Sequence, residues 1–287
     1  MGLLDRFIKG RGHGTAELAR RLGLSEPDLH AARMEYRTFT IPKRGGGERT
    51  INAPAPDLKA LQRRILRRVL GLLVSHDAAM GFERGRSIVT NARAHTGRAV
   101  TVRLDIRNFF ATTTAKRVHE FFRKVGWNKP AANLLTRLCT HEGGLPQGAP
   151  TSPRLANLVN HLLDARLAAM ARAHGAAYTR YADDLCFSHA ADDGRAIRRI
   201  MNQARVICRD FGYAVHRHKK VHIRRRHQQQ RITGLVVNER VNLPRDTCRR
   251  LRAIEHRLRT GRAATLNESQ LEGWKALRHM IETQRAA

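Results

Sequence analysis

Long apolar segments, a secretion signal and closely spaced cysteines are all missing from this sequence of 287 residues. No apolar run approaches the roughly 20 residues that a helix needs to span a bilayer, and no signal-peptide pattern opens the chain. The four cysteines have no CxxC spacing, so we expect reduced, mostly buried thiols. These absences predict a cytoplasmic protein without a membrane partner.

Acidic residues are also scarce. The chain has 24 Asp and Glu against 54 Lys and Arg, which gives a formal net charge of +30 at pH 7. Such an excess destabilises a compact monomer by self-repulsion unless a polyanion offsets it. Nucleic acid is the expected polyanion. A membrane surface is the competing one, and the missing membrane-directed segments disfavour it.

Aromatic residues make up only 5% of the chain. This low content argues against stacking on bases as the main means of holding a nucleic acid. Electrostatic contacts with the phosphate backbone, and recognition of the A-form shape of an RNA-containing duplex, are more plausible means of binding. Binding should therefore weaken steeply as the salt concentration rises. Hydrophobic residues still reach 41%, which is enough for a globular fold.

Among the few carboxylates, Asp183 and Asp184 are adjacent, between two apolar segments that alternate at period two. This pattern predicts a β-hairpin with the pair at its turn. Adjacent carboxylates repel unless a cation neutralises them, and Mg²⁺ prefers such oxygen ligands. A solvated Asp-Asp turn is the alternative. Asp105, near the end of a predicted strand over 99–106, could join them around two Mg²⁺ ions for in-line nucleotidyl transfer.

Mixed helices and short strands make up the rest of the chain. A helix-turn-helix pattern over 15–30 is weak, and a small helical extension is the favoured interpretation. Two strands around a glycine loop follow over 36–51. An amphipathic helix is predicted from Asp57, as its N-cap, to Ser75, with an arginine face that is either solvated or follows phosphates.

Further along, one long helix is predicted to open at Pro153, and one strand lies within 230–238. Two arginine-rich helices separated near Gly261 close the chain. This mixed order of elements predicts an α+β fold with a small antiparallel sheet.

Four segments, in order, closely resemble successive motifs of the reverse transcriptases. They are Ile41-Pro-Lys43 with Arg49-Thr-Ile51, Leu104-Asp-Ile-Arg-Asn-Phe-Phe110, Leu145-Pro-Gln-Gly-Ala-Pro-Thr-Ser-Pro153, and Tyr181-Ala-Asp-Asp184. Two more segments resemble patterns typical of the bacterial retron reverse transcriptases. They are Asn91-Ala-Arg-Ala-His95 and Ile232-Thr-Gly234, the latter with Ile in place of Val. The resemblance covers roughly residues 15 to 240.

The resemblance implies metal ligands and a general acid. Asp105, Asp183 and Asp184, with the backbone carbonyl of Ile106 as an extra ligand, would hold two Mg²⁺ ions, for which Mn²⁺ is a substitute. Lys219 would act as general acid on the pyrophosphate. The neighbouring Lys220 makes that assignment uncertain by one position.

It also implies residues that contact nucleotide and RNA. Phe110 would exclude a ribose 2′-OH and so select dNTPs, while Gln147 and Gly148 would line the incoming nucleotide. Lys43 and Arg49 would contact its triphosphate. The implied RNA-binding residues are Asn91, His95, Ile232, Thr233 and Gly234. For Asn91 and His95 the alternative is a hydrogen-bonded pair that stabilises the fold.

A right-hand polymerase fold follows from the same resemblance. It would comprise a helical N-terminal extension over 1–35, fingers over 36–98, a palm over 99–234 with a fingers insertion at about 114–145, and a basic helical thumb over 235–287. The small antiparallel sheet would belong to the palm.

The implied activity is that of a retron enzyme. It would bind a cognate structured noncoding RNA, prime from a guanosine 2′-OH and copy part of that RNA into single-stranded DNA. The branched RNA–DNA product (msDNA) would serve anti-phage defence with a separate effector protein, and host RNase H would remove the template.

Three other functions are weighed against this one. A reverse transcriptase of another bacterial lineage, such as a group II intron or defence-associated enzyme, is disfavoured by the full match at 91–95. A non-catalytic RNA-binding protein with a relic polymerase fold is disfavoured because all three carboxylates and Gln147 are present. A DNA-binding regulator using residues 15–30 leaves the other motifs unexplained.

Overall fold

The structure is a computed structural model that describes residues 12–43, 46–216 and 221–286, with side chains in the last helix as far as Gln284. Contacts divide the chain into two compact units. The first contains the described residues up to His76 together with Arg107–Leu163, and the second contains Asp77–Ile106 with the described residues from Asp164 onward. The division into extension, fingers, palm and thumb stays a prediction.

Twelve α-helices and eight strands occur among the described residues. The helices are α1 (Thr15–Leu22), α2 (Glu26–Ala31), α3 (Pro56–Ile65), α4 (Ile88–Arg93), α5 (Phe109–Thr112), α6 (Ala115–Lys124), α7 (Lys129–Cys139), α8 (Ser152–Val159), α9 (His161–Ala173), α10 (Gly194–Asp210), α11 (Arg245–Arg259) and α12 (Glu268–Ala286). The strands are β1 (Tyr36–Pro42), β2 (Glu48–Pro54), β3 (Val100–Asp105), β4 (Ala176–Tyr181), β5 (Asp184–His189), β6 (His222–Arg225), β7 (Arg231–Ile232) and β8 (Leu235–Val236). The predicted α+β class is confirmed.

The predicted helix from Asp57 to Ser75 differs from α3 at both ends. Pro56 occupies the first helical turn, where its missing N–H costs no hydrogen bond, so Ala55 is the N-cap and Asp57 is not. The helix continues as a π-helical segment over Leu66–Leu70, with Gly71 as its C-cap. The chain beyond does not continue the buried stripe, since Leu72 and Val74 are 76% and 83% exposed.

The long helix predicted from Pro153 is interrupted at Asn160, which separates α8 from α9. The buried Asn160 amide donates to the Ala156 carbonyl at 2.8 Å and accepts a hydrogen bond from Arg117 of α6 at 2.8 Å. An asparagine that bonds to nearby backbone competes with helix propagation. The apolar repeat predicts two consecutive buried helices equally well, which is why periodicity missed the break.

The second unit is organised around a four-stranded antiparallel sheet with strand order β4-β5-β3-β6. The hairpin predicted around the Asp pair is confirmed as β4 and β5. Val102, Leu104 and Phe187 form a buried face of the sheet. Because side chains alternate along a strand, Asp105 points to the opposite face.

Residues 230–238 form a short hairpin and not the single strand predicted there. β7 and β8 pair with Ile232 opposite Leu235. Thr233 and Gly234 both have positive φ, 47° and 84°, which suits a two-residue turn between antiparallel strands. Glycine adopts this conformation without strain, so the Thr-Gly pair is the signal that the strand turns back.

The two predicted arginine-rich helices are α11 and α12, which pack against each other in the second unit. Lys275 of α12 forms an ion pair with Glu255 of α11, and its Nζ lies 3.1 Å from Glu255 Oε1. Of the helices that the structure describes, none combines the length and apolar character needed to cross a membrane.

Candidate functional site

The three predicted catalytic carboxylates lie at one edge of the four-stranded sheet. Asp105 is the last residue of β3, and it lies opposite Asp184, the first residue of β5. Asp183 belongs to the turn before Asp184, and its carbonyl accepts a hydrogen bond from the Ile106 amide at 2.9 Å. Ala182 completes this tight turn with a positive φ of 55°. The strand register therefore brings together the carboxylates that the sequence separates by almost 80 positions.

Cationic and polar side chains surround these carboxylates. A guanidinium nitrogen of Arg103 lies 2.9 Å from an Asp184 carboxylate oxygen. His216 Nε2 lies 3.3 Å from Asp105 Oδ1, and the His216 amide donates to the Asp105 carbonyl at 2.9 Å. Asp105 is only 8% exposed.

The ligand chemistry of this edge suits Mg²⁺. Mg²⁺ takes oxygen ligands. It is usually held by one or two carboxylates, and substrate phosphates and water molecules complete its coordination. Within residues 12–43, 46–216 and 221–286, no group of three or more His, Cys, Asp or Glu side chains is arranged to hold a metal ion. The binding of Mg²⁺ at this edge stays a prediction. Reverse transcriptases in general depend on divalent metal.

The predicted nucleotide-contacting residues all belong to the first unit. Phe110 lies in α5, and its carbonyl accepts hydrogen bonds from the amides of Thr113 and Leu145 at 3.1 and 3.2 Å. The Gln147 carbonyl accepts the Asn52 amide at 2.8 Å, which joins the loop at 145–153 to β2. These backbone bonds hold Phe110 and Gln147 in defined positions within this unit.

Glycine is strongly favoured at position 148. Its φ is +127°, and a Cβ atom there would lie 3.0 Å from the Asn52 carbonyl oxygen. Any other residue would be strained by this backbone conformation and would need the Asn52 backbone to shift by a few tenths of an ångström. The predicted contact of Gly148 with a nucleotide stays a prediction.

Lys43 and Arg49 lie on the β1–β2 hairpin. Arg49 pairs with Ile41 across the strands, and the Lys43 amide donates to the Gly47 carbonyl at 2.9 Å. Both residues are exposed. Their contact with a triphosphate stays a prediction. Lys219 and Lys220 lie outside the described residues.

The two retron-like segments meet in one apolar cluster of the second unit. Ala92 of α4 and Ile232 of β7 are fully buried in it, together with Cys186 of β5. The Thr233 hydroxyl donates to the Ile88 carbonyl at 2.9 Å, which ties the β7–β8 turn to α4. The sequence marks the segments 91–95 and 232–234 separately by their resemblance to retron enzymes. Only the fold shows that they are in contact.

Asn91 and His95 are both fully buried. The His95 ring nitrogens lie 2.7 Å from the hydroxyls of Ser188 and Thr179, on the two strands of the catalytic hairpin. His95 thus makes the kind of hydrogen bonds that stabilise a fold, which was the alternative to direct RNA contact. The side-chain amide of Asn91 has no hydrogen-bond partner within the described part of the chain, although its backbone amide donates to the Ser87 carbonyl at 3.1 Å. Direct RNA contact by either residue, or by residues 232–234, stays a prediction.

Burial of His95 predicts a pH dependence of stability. Burial, with a smaller contribution from the charge of Arg98, lowers the pKa of His95 from 6.5 to about 3. Below pH 6.5 the unfolded chain binds a proton that the folded protein excludes, so this stabilisation is complete above pH 6.5 and is lost as the pH falls toward 3. We expect the free energy of unfolding to fall by about 2 kcal/mol between pH 7.5 and 5 from this residue alone.

His95→Gln removes the titration but keeps a donor and an acceptor. Urea unfolding of both proteins across this pH range measures the difference in slope. The free energy of unfolding of the variant should not show the fall of about 2 kcal/mol that His95 causes in the wild type between pH 7.5 and 5. This difference holds whatever the absolute stability of the variant. Equal pH slopes for the two proteins would contradict the buried, neutral state of His95.

Sequence reasoning did not predict the contacts of Arg103, His216 and Arg180 around the turn that carries Asp183. Arg103 precedes Asp105 by two positions on one strand, so the period-two rule could have placed both side chains on one face. His216 lies beside Asp105 through the pairing of Val215 with Ile106, which no local pattern indicates. The fully buried ion pair of Arg180 with Asp164 has no sequence signal either, because it joins a strand to a distant helix.

Comparison with known proteins identifies the family. Residues 41–237 match the family of reverse transcriptases (RNA-dependent DNA polymerases). The retron Mx162 reverse transcriptase of Myxococcus xanthus is 37% identical, over 96% of this chain and 67% of its own length. The retron Mx65 enzyme of the same organism is 39% identical, over 88% of this chain and 62% of its own length. The retron Ec86 reverse transcriptase of Escherichia coli is 34% identical, over 86% and 76%.

Solved structures support the polymerase fold. A Candida tropicalis telomerase aligns with 73% of this chain and 55% of its own at a TM-score of 0.52 and 13% identity. A Candida albicans telomerase in complex with a telomeric RNA fragment aligns with 74% of this chain and 46% of its own at 0.53 and 10% identity. At such identities the likeness concerns the fold alone, and it agrees with the predicted right-hand polymerase fold. The chain itself belongs to the reverse transcriptase family and, within it, to the bacterial retron reverse transcriptases.

Proposed function

We propose that this protein is an RNA-directed DNA polymerase that copies part of a cognate structured noncoding RNA into single-stranded DNA. One observation carries the proposal: Asp105 of β3 lies opposite Asp184 of β5, and Asp183 lies on the turn between β4 and β5. In a reverse transcriptase, that carboxylate edge is where nucleotidyl transfer is expected.

Asp105, Asp183 and Asp184, with the Ile106 carbonyl, would hold two Mg²⁺ ions. When bound, such ions activate the attacking hydroxyl and stabilise the leaving pyrophosphate. The protein holds the carboxylates in place through the sheet register and through the Ile106–Asp183 hydrogen bond. Lys43 and Arg49 would bind the triphosphate, and Gln147 and Gly148 would line the nucleotide. Lys219 or Lys220 would supply the proton to the pyrophosphate.

Phe110 would select dNTPs by excluding the ribose 2′-OH. We expect Phe110→Val to lower the preference for dNTPs over rNTPs by at least about tenfold, because a smaller side chain leaves room for the hydroxyl. Single-nucleotide extension with matched dNTP and rNTP measures the ratio of kcat/KM values. Phe109→Leu is the control, since Phe109 is the buried neighbour, its ring centroid 5.5 Å from that of Phe110. An unchanged preference in Phe110→Val would assign the selection to another residue.

The retron part of the proposal concerns the RNA and the product. The RNA would be a structured transcript that primes from a guanosine 2′-OH, and the product would be branched RNA–DNA. The +30 net charge supports a polyanionic partner of this kind. The proposal extends to anti-phage defence with a separate effector protein and to template removal by host RNase H.

The nucleic acid that co-purifies with the protein tests this function. Wild type and Asp184→Asn would be purified from cells that carry the native flanking DNA. RNA-linked single-stranded DNA in the wild type alone is the expected result, and its sequence reveals the template. RNA alone in both samples would instead indicate an RNA-binding protein. Primer extension without any branched product would indicate another type of reverse transcriptase.

A further inference from the structure

The loop over 77–86 runs along the outer edge of β4 in the second unit. Ala79 pairs with Arg180 in parallel, and the two flanking backbone hydrogen bonds measure 2.7 Å each. Arg86 closes the loop, because its guanidinium donates to the Asp77 carbonyl and, at 3.0 Å, to the Ala79 carbonyl. The backbone that leads to position 82 is therefore fixed on both sides.

Gly81 brings this loop against the turn between β4 and β5. A Cβ atom at position 81 would lie 3.2 Å from the Ala182 amide nitrogen and 3.3 Å from Cδ1 of the Tyr181 ring. Both distances are shorter than an ordinary contact of a Cβ atom, so a larger residue would push the two segments apart. The loop thus contacts the backbone that immediately precedes Asp183.

Phe82 comes next, in a strained backbone conformation. Its φ of 61° lies in the left-handed region, which a bulky side chain rarely adopts. Its ring centroid lies 6.0 Å from that of Tyr181 at an interplanar angle of 44°, within the range of favourable aromatic pairs. Ala182, on the adjoining turn, also has a positive φ, of 55°. Strain of this kind concentrates at functional sites.

Packing does not account for a phenylalanine at position 82. Its side chain is 49% exposed, so only part of the ring is removed from water. The free energy gained from one aromatic pair is about as large as the cost of a left-handed backbone for a residue with a Cβ atom. Glycine would avoid that cost. The contribution of Phe82 is therefore to be sought in where it places its neighbours.

We propose that Phe82 is a positioning residue for nucleotidyl transfer. Its ring, held by the 77–86 loop, fixes Tyr181, which is the last residue of β4 and pairs with Asp184 at the start of β5. Phe82 thereby fixes the turn that presents Asp183. A misplacement of about 1 Å at a reaction site can cost about a hundredfold in rate, which far exceeds the effect of one ring contact on folding. The proposal rests on the proposed polymerase function.

Two substitutions at position 82 separate positioning from stability. Phe82→Gly removes the ring and relieves the strain, whereas Phe82→Tyr keeps both. Glu142→Gly is the matched control, because Glu142 also has a left-handed φ, of 48°, and its side chain is exposed in the first unit. Thermal unfolding and steady-state primer extension with Mg²⁺ titrated are measured for each protein. Fluorescence anisotropy without Mg²⁺ measures the binding of an RNA–DNA hybrid with a recessed DNA 3′ end.

We expect the Tm of Phe82→Gly to stay within about 4 °C of the wild-type value, since the relieved strain offsets the lost ring pair. Its kcat should fall by about tenfold or more, because the carboxylates are less well placed. The Mg²⁺ concentration at half-maximal rate should rise, while hybrid affinity stays within about twofold. Phe82→Tyr should keep at least about half of the wild-type kcat, because the ring pair remains. Glu142→Gly should match the wild type in kcat.

Three results would overturn the proposal. A larger fall in Tm, or failure to fold, would make Phe82→Gly a loss of packing. Weaker hybrid binding with an unchanged kcat would assign the ring to substrate binding. Equal losses of kcat in Phe82→Gly and Phe82→Tyr would show that the ring itself is not what positions the turn.

Failure of the polymerase function remains distinguishable from failure of the positioning role. A wild type that extends no primer refutes the proposed function. A wild type that extends primers, with Phe82→Gly equally fast, refutes the positioning role alone.

Discussion

Asp183→Asn is expected to reduce DNA synthesis by about a thousandfold or more while leaving the protein folded. The substitution removes a negative charge from the carboxylate edge but preserves the size of the side chain. A metal ion held by Asp183, as proposed, would lose several kcal/mol of transition-state stabilisation without that charge, and each 1.36 kcal/mol corresponds to tenfold in rate. The backbone bond from Ile106 to the Asp183 carbonyl does not involve the side chain, so the turn should persist.

Steady-state primer extension on an RNA template, with Mg²⁺ titrated, measures this effect. Asp192→Asn is the matched control, because Asp192 also lies in the second unit and its exposed carboxylate contacts Arg225, which is exposed as well. The control should retain nearly full activity, since exposed ion pairs contribute about 0–1 kcal/mol. More than about a tenth of the wild-type rate in Asp183→Asn would remove Asp183 from the catalytic carboxylates.

The sequence predicts the β4–β5 hairpin that carries Asp183 and Asp184, and it does so for a physical reason. Period-two alternation on both sides of Asp183 and Asp184 is typical of paired strands, and the turn falls where the alternation stops. The same rule locates β3 and the position of Asp105 at its end. The alternation does not predict that both faces of the hairpin are covered, because Thr179 and Ser188 at its polar positions are buried as well.

Other parts of the fold depend on contacts between distant segments and leave no local pattern. Asn160 interrupts a continuous apolar repeat because it bonds to both Ala156 and Arg117, and Arg117 comes from another helix. The burial of His95 against Ser188 and Thr179 likewise depends on how α4 packs on the hairpin. Sequence resemblance marks residues 91–95 and 232–234, but only the fold brings them into one cluster.

Arg180→Met is expected to destabilise the second unit by about 3–5 kcal/mol. Arg180 and Asp164 are both fully inaccessible to solvent, and their side chains form two hydrogen bonds of 2.8 and 2.5 Å. Tyr178 donates a third hydrogen bond to Asp164 at 2.9 Å. Burial, followed by the charge of Asp164, raises the pKa of Tyr178 well above its ordinary value, so the phenol remains a donor. Removal of Arg180 alone leaves the Asp164 carboxylate buried without its counter-ion, which is the costly case.

The same guanidinium also contacts the catalytic turn. Arg180 Nη1 donates to the Ala182 carbonyl at 3.2 Å, and Ala182 has the positive φ that the turn requires. The Arg180 backbone also forms two hydrogen bonds of 2.7 Å: its amide donates to the Ala78 carbonyl, and its carbonyl accepts from the Met80 amide. These bonds hold the outer side of β4, the strand before the turn. Arg180 thus links the buried ion pair to the backbone that presents Asp183 and Asp184.

A triple variant separates stability from positioning of the turn. Tyr178→Phe, Arg180→Met and Asp164→Leu together replace the buried polar group by apolar side chains, which is often neutral or stabilising for a buried ion pair. Thermal unfolding should therefore recover most of the stability that Arg180→Met loses. Polymerase activity should be reduced in Arg180→Met and should not recover in the triple variant, because in both the Ala182 carbonyl has lost the hydrogen bond from Arg180. The Mg²⁺ concentration at half-maximal rate should rise in both. Full recovery of both stability and rate in the triple variant would limit Arg180 to a role in folding, and the position of the catalytic aspartates would then depend on the strand register alone.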